Sequence, residues 1–220
     1  MRFVVTAGPT REHLDPVRFL SNPSTGKMGF AVAAEAARRG CEVTLVAGPV
    51  ALKTPKGVVR VDVVSAREML AAVQTAIGAR GDVVFVSTAA VADWRPARCA
   101  TKKLKKGEMA STLKLVRNPD ILKTIRSLFS HPSSLTPHPS SLRLVGFAAE
   151  TDRVLAEAAR KCREKGLAFI VANDVTQKGC GFGTDTNQVT LVFPDGALKR
   201  LPLMTKRGVA RRIVDEIARL

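Results

Sequence analysis

The chain has 220 residues, of which 45% are hydrophobic and 25% are charged, a balance typical of a globular protein with a substantial buried core. Its 35 lysines and arginines outnumber its 19 acidic residues, which gives a formal net charge of +16. No apolar run has the length of a membrane span, and the first residues lack a signal-peptide pattern, so we expect one cytoplasmic domain and no membrane partner.

The positive charge indicates an anionic partner, either a nucleic acid or a smaller nucleotide or phosphorylated metabolite. Aromatic residues make up only 5% of the chain, tyrosine is absent, and no known nucleic-acid-binding signature is present, so nucleic acid is disfavoured. The four cysteines, Cys41, Cys99, Cys162 and Cys180, form no CxxC pair and predict free thiols in a reducing compartment. No metal ligand is assigned from the sequence.

In chain order, short apolar runs alternate with helical segments. The predicted strands are 2–7, 42–47, 58–64, 82–87, 144–147 and 168–172. The predicted helices are 26–39, 66–77, 118–129, 152–165 and 205–220. Ser65 and Glu68 form a capping box at the start of the second helix. The alternation predicts an α/β fold with a Rossmann-like parallel sheet and flanking helices.

Two segments interrupt this alternation. Residues 95–117 contain a run of lysines and an alternating stretch, 112–116, that is typical of an exposed strand, so we expect a protruding, strand-containing arm. Residues 131–141, HPSSLTPHPSS, are predicted to be a Pro/Ser insertion without chemistry. Near the C-terminus, 188–193 and 198–203 flank a turn and predict a hairpin.

The helix after the arm has a proline near its start. Asn118 is the predicted N-cap of that helix, and Pro119 occupies its first turn, where the missing N–H is not needed.

The segment between the first strand and the first helix, FLSNPSTGKMGF (19–30), is compatible with a phosphate site. Gly26 and Gly29 allow a tight turn, and Lys27 adds a charge at the positive end of the helix dipole. The pattern is neither a Walker A motif, because Met28 follows the lysine, nor GxGxxG. The alternative is an ordinary helix start with a surface lysine.

Open parallel sheets bind ligands at the carboxyl ends of their strands. The segments that follow the predicted strands contain most of the unusual residues of the chain: 6–29, 87–106, 147–151 and 173–186. We therefore predict a small-molecule site where these segments meet.

The same segments contain motifs that occur in one order along nearly the whole chain. They are TAGPTREHLDPVRFLSNPSTGKMG (6–29), AAVADWRP (89–96), KLKK (103–106), NPDIL (118–122), VGFAAET (145–151), ANDV (172–175) and FGTDTNQVTL (182–191). This set resembles the phosphopantothenate–cysteine ligase family of coenzyme A synthesis. The insertion at 131–141 departs from the family pattern.

The resemblance implies a two-step ligation. The carboxylate of 4′-phosphopantothenate attacks the α-phosphate of CTP, and the amine of cysteine then attacks the acyl-cytidylate. CTP as co-substrate, Mg²⁺ or Mn²⁺ as cofactor and a homodimer with arm 95–117 reaching its partner are implied in the same way. So is a decarboxylase partner, either fused or separate. The sequence leaves the choice of CTP or ATP open.

The resemblance also implies roles for individual residues. Lys103 is expected to stabilise charge on the triphosphate, Arg18 and Asn22 to hold the intermediate, and Ala90 to allow it to pack closely. The implied nucleotide-binding residues are Ser87, Thr88, Ala89, Asp93, Lys103, Asn118, Pro119, Asp120, Ile121, Phe147, Lys161 and Lys165. Gly26, Lys27 and Gly29 are the weaker phosphate-loop assignment.

Without the resemblance, Lys103, Lys161 and Lys165 would be interpreted as solvated lysines, and Phe147 as a core side chain. Two other functions stay open at this point: a basic nucleic-acid-binding module and a non-catalytic regulatory subunit of the same fold.

Overall fold

The computed structural model describes residues 1–78, 81–107, 112–130, 139–177 and 179–220. Residues 131–138, most of the predicted insertion, lie outside the described residues, as do residues 108–111 of the predicted arm. The elements in chain order are β1 (Arg2–Ala7), β2 (Arg11–His13), β3 (Phe19–Ser21), α1 (Lys27–Arg38), β4 (Glu42–Ala47), β5 (Val58–Asp62), α2 (Ala66–Ile77), β6 (Asp82–Ser87), β7 (Trp94–Pro96), β8 (Leu115–Arg117), α3 (Ile121–Ser130), β9 (Ser141–Glu150), α4 (Val154–Glu164), β10 (Phe169–Asp174), β11 (Thr186–Asn187), β12 (Val189–Val192), β13 (Leu198–Arg200), β14 (Met204–Thr205) and α5 (Lys206–Ile217).

The central sheet has the strand order β13-β12-β10-β9-β6-β1-β4-β5. Its strands from β5 to β10 are parallel, while β12 and β13 add an antiparallel edge. From β1 the chain first builds outward through β4 and β5, and then returns to build the other side through β6, β9 and β10. The order of the strands therefore reverses between β1 and β6, which is where open α/β sheets bind their ligands. The predicted Rossmann-like fold is confirmed.

Both faces of the sheet are buried under helices, which explains why the parallel strands have continuous apolar sequences. Successive residues of β1 point to opposite faces. Phe3 and Val5 therefore pack in the layer that contains α1 and α5, whereas Val4 packs in the layer that contains α2, α3 and α4. No helix within the described ranges is long and apolar enough to cross a membrane.

Several local predictions are confirmed. Ser65 caps α2: its Oγ accepts a hydrogen bond from the Glu68 amide at 3.2 Å, and the Glu68 carboxylate accepts one from the Val64 amide at 2.9 Å. The predicted C-terminal hairpin is the antiparallel pair β12 and β13.

The predicted N-cap at Asn118 is wrong. Helix α3 begins at Ile121, and Asp120 Oδ1 accepts a hydrogen bond from the Lys123 amide at 3.1 Å. Asn118 Oδ1 accepts a hydrogen bond from Arg95 Nη1 at 3.1 Å, so it does not cap the first amides of the helix. The Asn118 side chain instead donates to the Ala92 carbonyl at 2.8 Å, which ties the start of α3 to the segment after β6.

The exposed strand predicted at 112–116 is also displaced. The strand is β8, Leu115–Arg117, and it pairs with Trp94–Pro96. Neither that partner nor the small hairpin of β2 and β3 is predicted from the sequence, because strands of three residues are too short to show a period.

The loops that follow β1, β4 and β6 are in very close contact. The Gly48 amide donates to the Ala7 carbonyl at 2.9 Å, and the Ala90 amide donates to the Gly8 carbonyl at 2.9 Å. A Cβ atom on Gly48 would lie 1.8 Å from the Pro9 carbonyl oxygen, so only glycine allows this approach. These contacts hold the three loops together at the point where the strand order reverses.

We expect Gly48→Ala to lower the free energy of unfolding by about 1–3 kcal/mol, because its methyl group would push the loop after β4 away from the loop after β1. Urea unfolding followed by circular dichroism measures this loss. Gly107→Ala is the control, since a Cβ there has no neighbour within 4 Å in the part of the chain that the structure describes. Equal unfolding midpoints for the two variants would contradict the close contact.

Candidate functional site

A cleft of about 630 Å³ opens at the carboxyl ends of β1, β6, β9 and β10. The segments that line it are 24–29, 87–94, 117–122 and 147–150. Lys161, Lys165, Asn173, Gly181, Phe182, Gly183, Asn187 and Lys206 complete its walls. The predicted convergence of the loops after the strands is therefore observed.

Fifteen of the predicted site residues line this cleft. They are Gly26, Lys27, Gly29, Ser87, Thr88, Ala89, Ala90, Asp93, Asn118, Pro119, Asp120, Ile121, Phe147, Lys161 and Lys165. The structure does not place Arg18, Asn22 or Lys103 in its walls. The functional roles of all these residues stay predictions.

Asn22 lies directly behind the wall. Its Nδ2 donates to the Ala90 carbonyl at 3.0 Å, and the neighbouring Ser21 hydroxyl donates to the Thr10 carbonyl at 2.8 Å. Asn22 therefore holds the backbone of Ala90, a residue that does face the cleft.

Arg18 and Lys103 are brought close together by the buried carboxylate of Asp15. Asp15 Oδ1 accepts from the amides of Val17 and Arg18, and its Oδ2 accepts from Arg18 Nε at 3.0 Å and from the Leu104 amide at 3.2 Å. Arg18 also donates to the Leu104 carbonyl at 2.8 Å. Hydrogen bonds from Arg18 lower the pKa of Asp15, so this carboxylate stays charged at neutral pH. The lysine run of the arm, 102–106, is thus anchored at Leu104, the residue next to Lys103.

The start of α1 fits closely against the sheet. Gly26 has a φ of 77° and provides no side-chain cap, so the first amides of α1 have no side-chain acceptor at that position. A Cβ on Gly29 would lie 2.3 Å from Thr88 Oγ1 and 2.6 Å from Ala7 Cβ. A glycine there is required for α1 to approach β1 and β6.

Lys27 is not a solvated surface lysine. Its Nζ donates to the Gly183 carbonyl at 2.8 Å and to Asp185 Oδ1 at 2.7 Å. These bonds attach the loop that precedes β11 to the start of α1, and the hydrogen bond from Lys27 lowers the pKa of Asp185.

Lys161 and Lys165 both face the cleft from the C-terminal part of α4. Lys161 Nζ lies 2.5 Å from Glu150 Oε1, and Lys165 Nζ lies 2.7 Å from Asp120 Oδ2. Burial raises the pKa of Asp120, but hydrogen bonds from Lys165 and the Lys123 amide outweigh it, and the pKa lies below its usual value. Two ion pairs therefore stand at this end of the cleft, with their positive members available to an anionic ligand that displaces the carboxylates.

Lys206, Asn173 and Arg117 are three of the cleft residues that are not predicted as site residues from the sequence. Lys206 begins α5, an element far from the motifs in the chain. Asn173 belongs to the ANDV motif but is not singled out there. Its Nδ2 donates to the Cys180 carbonyl at 3.0 Å, while its buried Oδ1 has no hydrogen-bond partner among the described residues. Arg117 stacks on Trp94, with its guanidinium carbon 5.1 Å from the ring centroid, in a contact that only the β7–β8 pairing creates.

Among the described residues, no group of three or more His, Cys, Asp or Glu side chains is arranged to hold a metal ion. None of the four cysteines, all within the described residues, forms a disulfide, as predicted.

Comparison with known proteins identifies the family. Residues 1–220 match the family described as the DNA/pantothenate metabolism flavoprotein C-terminal domain. The chain belongs to this family. It is 47% identical over 220 residues to the coenzyme A biosynthesis bifunctional protein CoaBC of Escherichia coli K12, covering 99% of this chain and 51% of that protein. The chain thus spans about half the length of the curated relatives it matches.

Solved structures agree. The crystal structure of the C-terminal domain of CoaBC has a TM-score of 0.77 and 42% identity, covering 98% of this chain and 93% of that one. The structure of the Cab2 mutant H337A in complex with phosphopantothenate-cysteine has the same fold, with a TM-score of 0.71 and 18% identity over 99% of this chain and 85% of that one. The family resemblance inferred from the sequence motifs is confirmed.

We expect Asp15→Asn to release the lysine run, because a neutral amide removes the charge partner of Arg18 and presents N–H groups where an acceptor is needed. Trypsin should then cut within residues 102–106 several times faster than in the unchanged protein. Glu164→Gln, which removes an exposed carboxylate paired with Arg160, is the control and should leave the cleavage rate unchanged. Unchanged cleavage in Asp15→Asn would show that another contact anchors the arm.

Proposed function

We propose that this chain ligates cysteine to 4′-phosphopantothenate through an acyl-cytidylate intermediate, as an acid–amino-acid ligase of coenzyme A synthesis. The observation that supports this most directly is that residues from separate ligase-like motifs line one cleft at the reversal of the strand order. The relatives named for coenzyme A biosynthesis support the same reaction.

In the first step, a carboxylate oxygen of phosphopantothenate forms a bond to the α-phosphorus of CTP, and the bond to the β-phosphate oxygen breaks. Pyrophosphate leaves with that electron pair. In the second step, the cysteine nitrogen bonds to the acyl carbon, CMP leaves, and the amine gives up a proton. The products are 4′-phosphopantothenoylcysteine, CMP and pyrophosphate.

Both substrates are anions, so the site has to stabilise negative charge. Lys27, Lys161 and Lys165 all line the cleft and bring positive charge to it from α1 and from the end of α4. Each of them is paired with a carboxylate, and because an ion pair near the surface contributes little free energy, a phosphate can displace the carboxylate at low cost. Backbone groups of Ser87, Thr88 and Ala89 and the ring of Phe147 complete the predicted nucleotide site.

Mg²⁺ or Mn²⁺ fits this site as an ion that CTP brings with it. The acidic members of the two ion pairs, Glu150 and Asp120, are held by Lys161 and Lys165. Mg²⁺ typically keeps several waters and binds through substrate phosphates plus one or two carboxylates, which such a site provides. When bound, the ion neutralises charge on the triphosphate.

Arg18 and Lys103 require an additional step in the proposal, because they lie outside the cleft walls. We propose that the chain forms a homodimer in which arm 95–117 of one protomer completes the partner's cleft. The bifunctional relatives, about twice as long, further suggest a decarboxylase as fused or separate partner. We expect the protein in the cytoplasm, where these substrates are made.

The first test is a pyrophosphate-release assay with cysteine, Mg²⁺ and one nucleoside triphosphate at a time. We expect release with CTP, dependent on phosphopantothenate, and little release with ATP. Pyrophosphate release with ATP, and with no other nucleotide, would show that the co-substrate is ATP and not CTP. Tight binding of single-stranded DNA without any release would favour the nucleic-acid-binding alternative.

The second test separates the two steps. Lys103→Gln should abolish pyrophosphate release because it removes a charge that stabilises the first step. Asn22→Asp should still release pyrophosphate but stall amide formation, because a carboxylate cannot donate to the Ala90 carbonyl and repels the intermediate. Lys106→Gln, an equal loss of charge in the same run, is the matched control. Full activity of Lys103→Gln would remove that residue from the mechanism.

A further inference from the structure

We propose that a second cavity, separate from the cleft, binds a small amphipathic anion with an apolar body and a phosphate or carboxylate head. This cavity has a volume of about 480 Å³ and lies between the first turns of α1, the loop after β4 and the start of α5. Its lining residues are Lys27, Phe30, Ala31, Leu52, Lys53, Pro55, Asp185, Thr205, Lys206 and Arg207. The volume lies within the range of about 300–1,000 Å³ found for small-molecule pockets.

The floor of the second cavity is apolar and is held in shape by Arg60. Phe30, Leu52 and Pro55 contribute apolar surface. The Arg60 guanidinium donates to the Leu52 carbonyl at 2.7 Å, and its central carbon lies 5.4 Å from the centroid of the Phe30 ring. One arginine thus joins the loop after β4 to α1, so the apolar floor is a built part of the fold.

The rim of the second cavity is positively charged, in contrast to its apolar floor. Lys27, Lys53, Lys206 and Arg207 contribute four positive charges, against the single carboxylate of Asp185. Burial and the nearby charge of Lys27 lower the pKa of Lys206, which means that its ammonium lacks sufficient negative charge around it. An apolar floor below a cationic rim fits a ligand with a hydrocarbon body and an anionic head.

Asp185 connects this cavity to the cleft. Lys27 and Lys206 line both spaces, and the Lys27–Asp185 ion pair, 2.7 Å long, lies where they meet. The Asp185 side chain is 87% exposed, so its bond to Lys27 is weak and exchangeable. A bound anion would compete with Asp185 for Lys27, and any effect on ligands of the cleft must be reciprocal. This inference goes beyond the proposed ligation and does not require it.

The test measures binding of monomeric octyl phosphate, below its micelle concentration, by isothermal titration calorimetry. We expect one site per chain and an affinity that increases from butyl to hexyl to octyl phosphate, by up to about fourfold for each buried methylene. Inorganic phosphate should bind far more weakly. An affinity that does not depend on chain length would overturn the proposal, because the apolar floor would then contribute nothing.

Charge variants locate the site. Lys53 and Arg207 are both exposed and lie outside the cleft, so the double variant Lys53→Glu, Arg207→Glu should fold normally and weaken octyl phosphate binding at least about tenfold. Asp185→Asn should tighten it, since the competing carboxylate is gone. The matched control, Arg163→Glu with Arg200→Glu, makes the same change in net charge at two other exposed positions.

If the control pair weakens octyl phosphate binding equally, the effect comes from net charge alone, and the proposed site is wrong. Complete displacement of octyl phosphate by CTP in the unchanged protein, with no effect of the Lys53 and Arg207 changes, would place the probe in the cleft and also overturn it.

Discussion

The close contact of three loops at the reversal of the strand order is the constraint on which the rest of the structure depends. Gly48 packs against Pro9, and Gly29 packs against Thr88, at distances that no side chain permits. The Ala90 amide bonds to the Gly8 carbonyl across the same region. The cleft therefore keeps its shape through close packing and backbone hydrogen bonds. Short polar side chains add to it, since Asn22 donates to the Ala90 carbonyl and Thr10 accepts from the Ala92 amide.

Positive charge in this protein is held in two different ways. At the cleft, lysines are matched one to one with carboxylates: Lys161 with Glu150, and Lys165 with Asp120. The side chains of these pairs are only partly exposed, and under the proposed function a phosphate takes the place of the carboxylates. On the arm, by contrast, a buried carboxylate, Asp15, holds an arginine and a backbone amide in one geometry. The first arrangement suits exchange of partners, and the second suits anchoring.

Much of the fold follows from local sequence. The parallel strands are recognisable as short apolar runs, and the capping box of Ser65 and Glu68 marks the start of α2 because both partners lie within one turn. Motif resemblance identified the family, and most of the residues that line the cleft lie within its motifs. The predicted Asn118 cap is wrong because the side-chain oxygen of Asn118 bonds to Arg95, 23 positions away, a contact that local sequence does not reveal.

Only the tertiary structure decided which residues far apart in the chain make contact. Lys206 joins the cleft because α5 packs beside α1, and the partner of Lys27 is Asp185, 158 positions away. The Asp15–Leu104 bond spans 89 positions, and no periodicity connects its ends. Sequence patterns report which face of an element is buried, since that depends on neighbours within a few residues. They do not report which charge meets which, because that depends on how the finished elements pack.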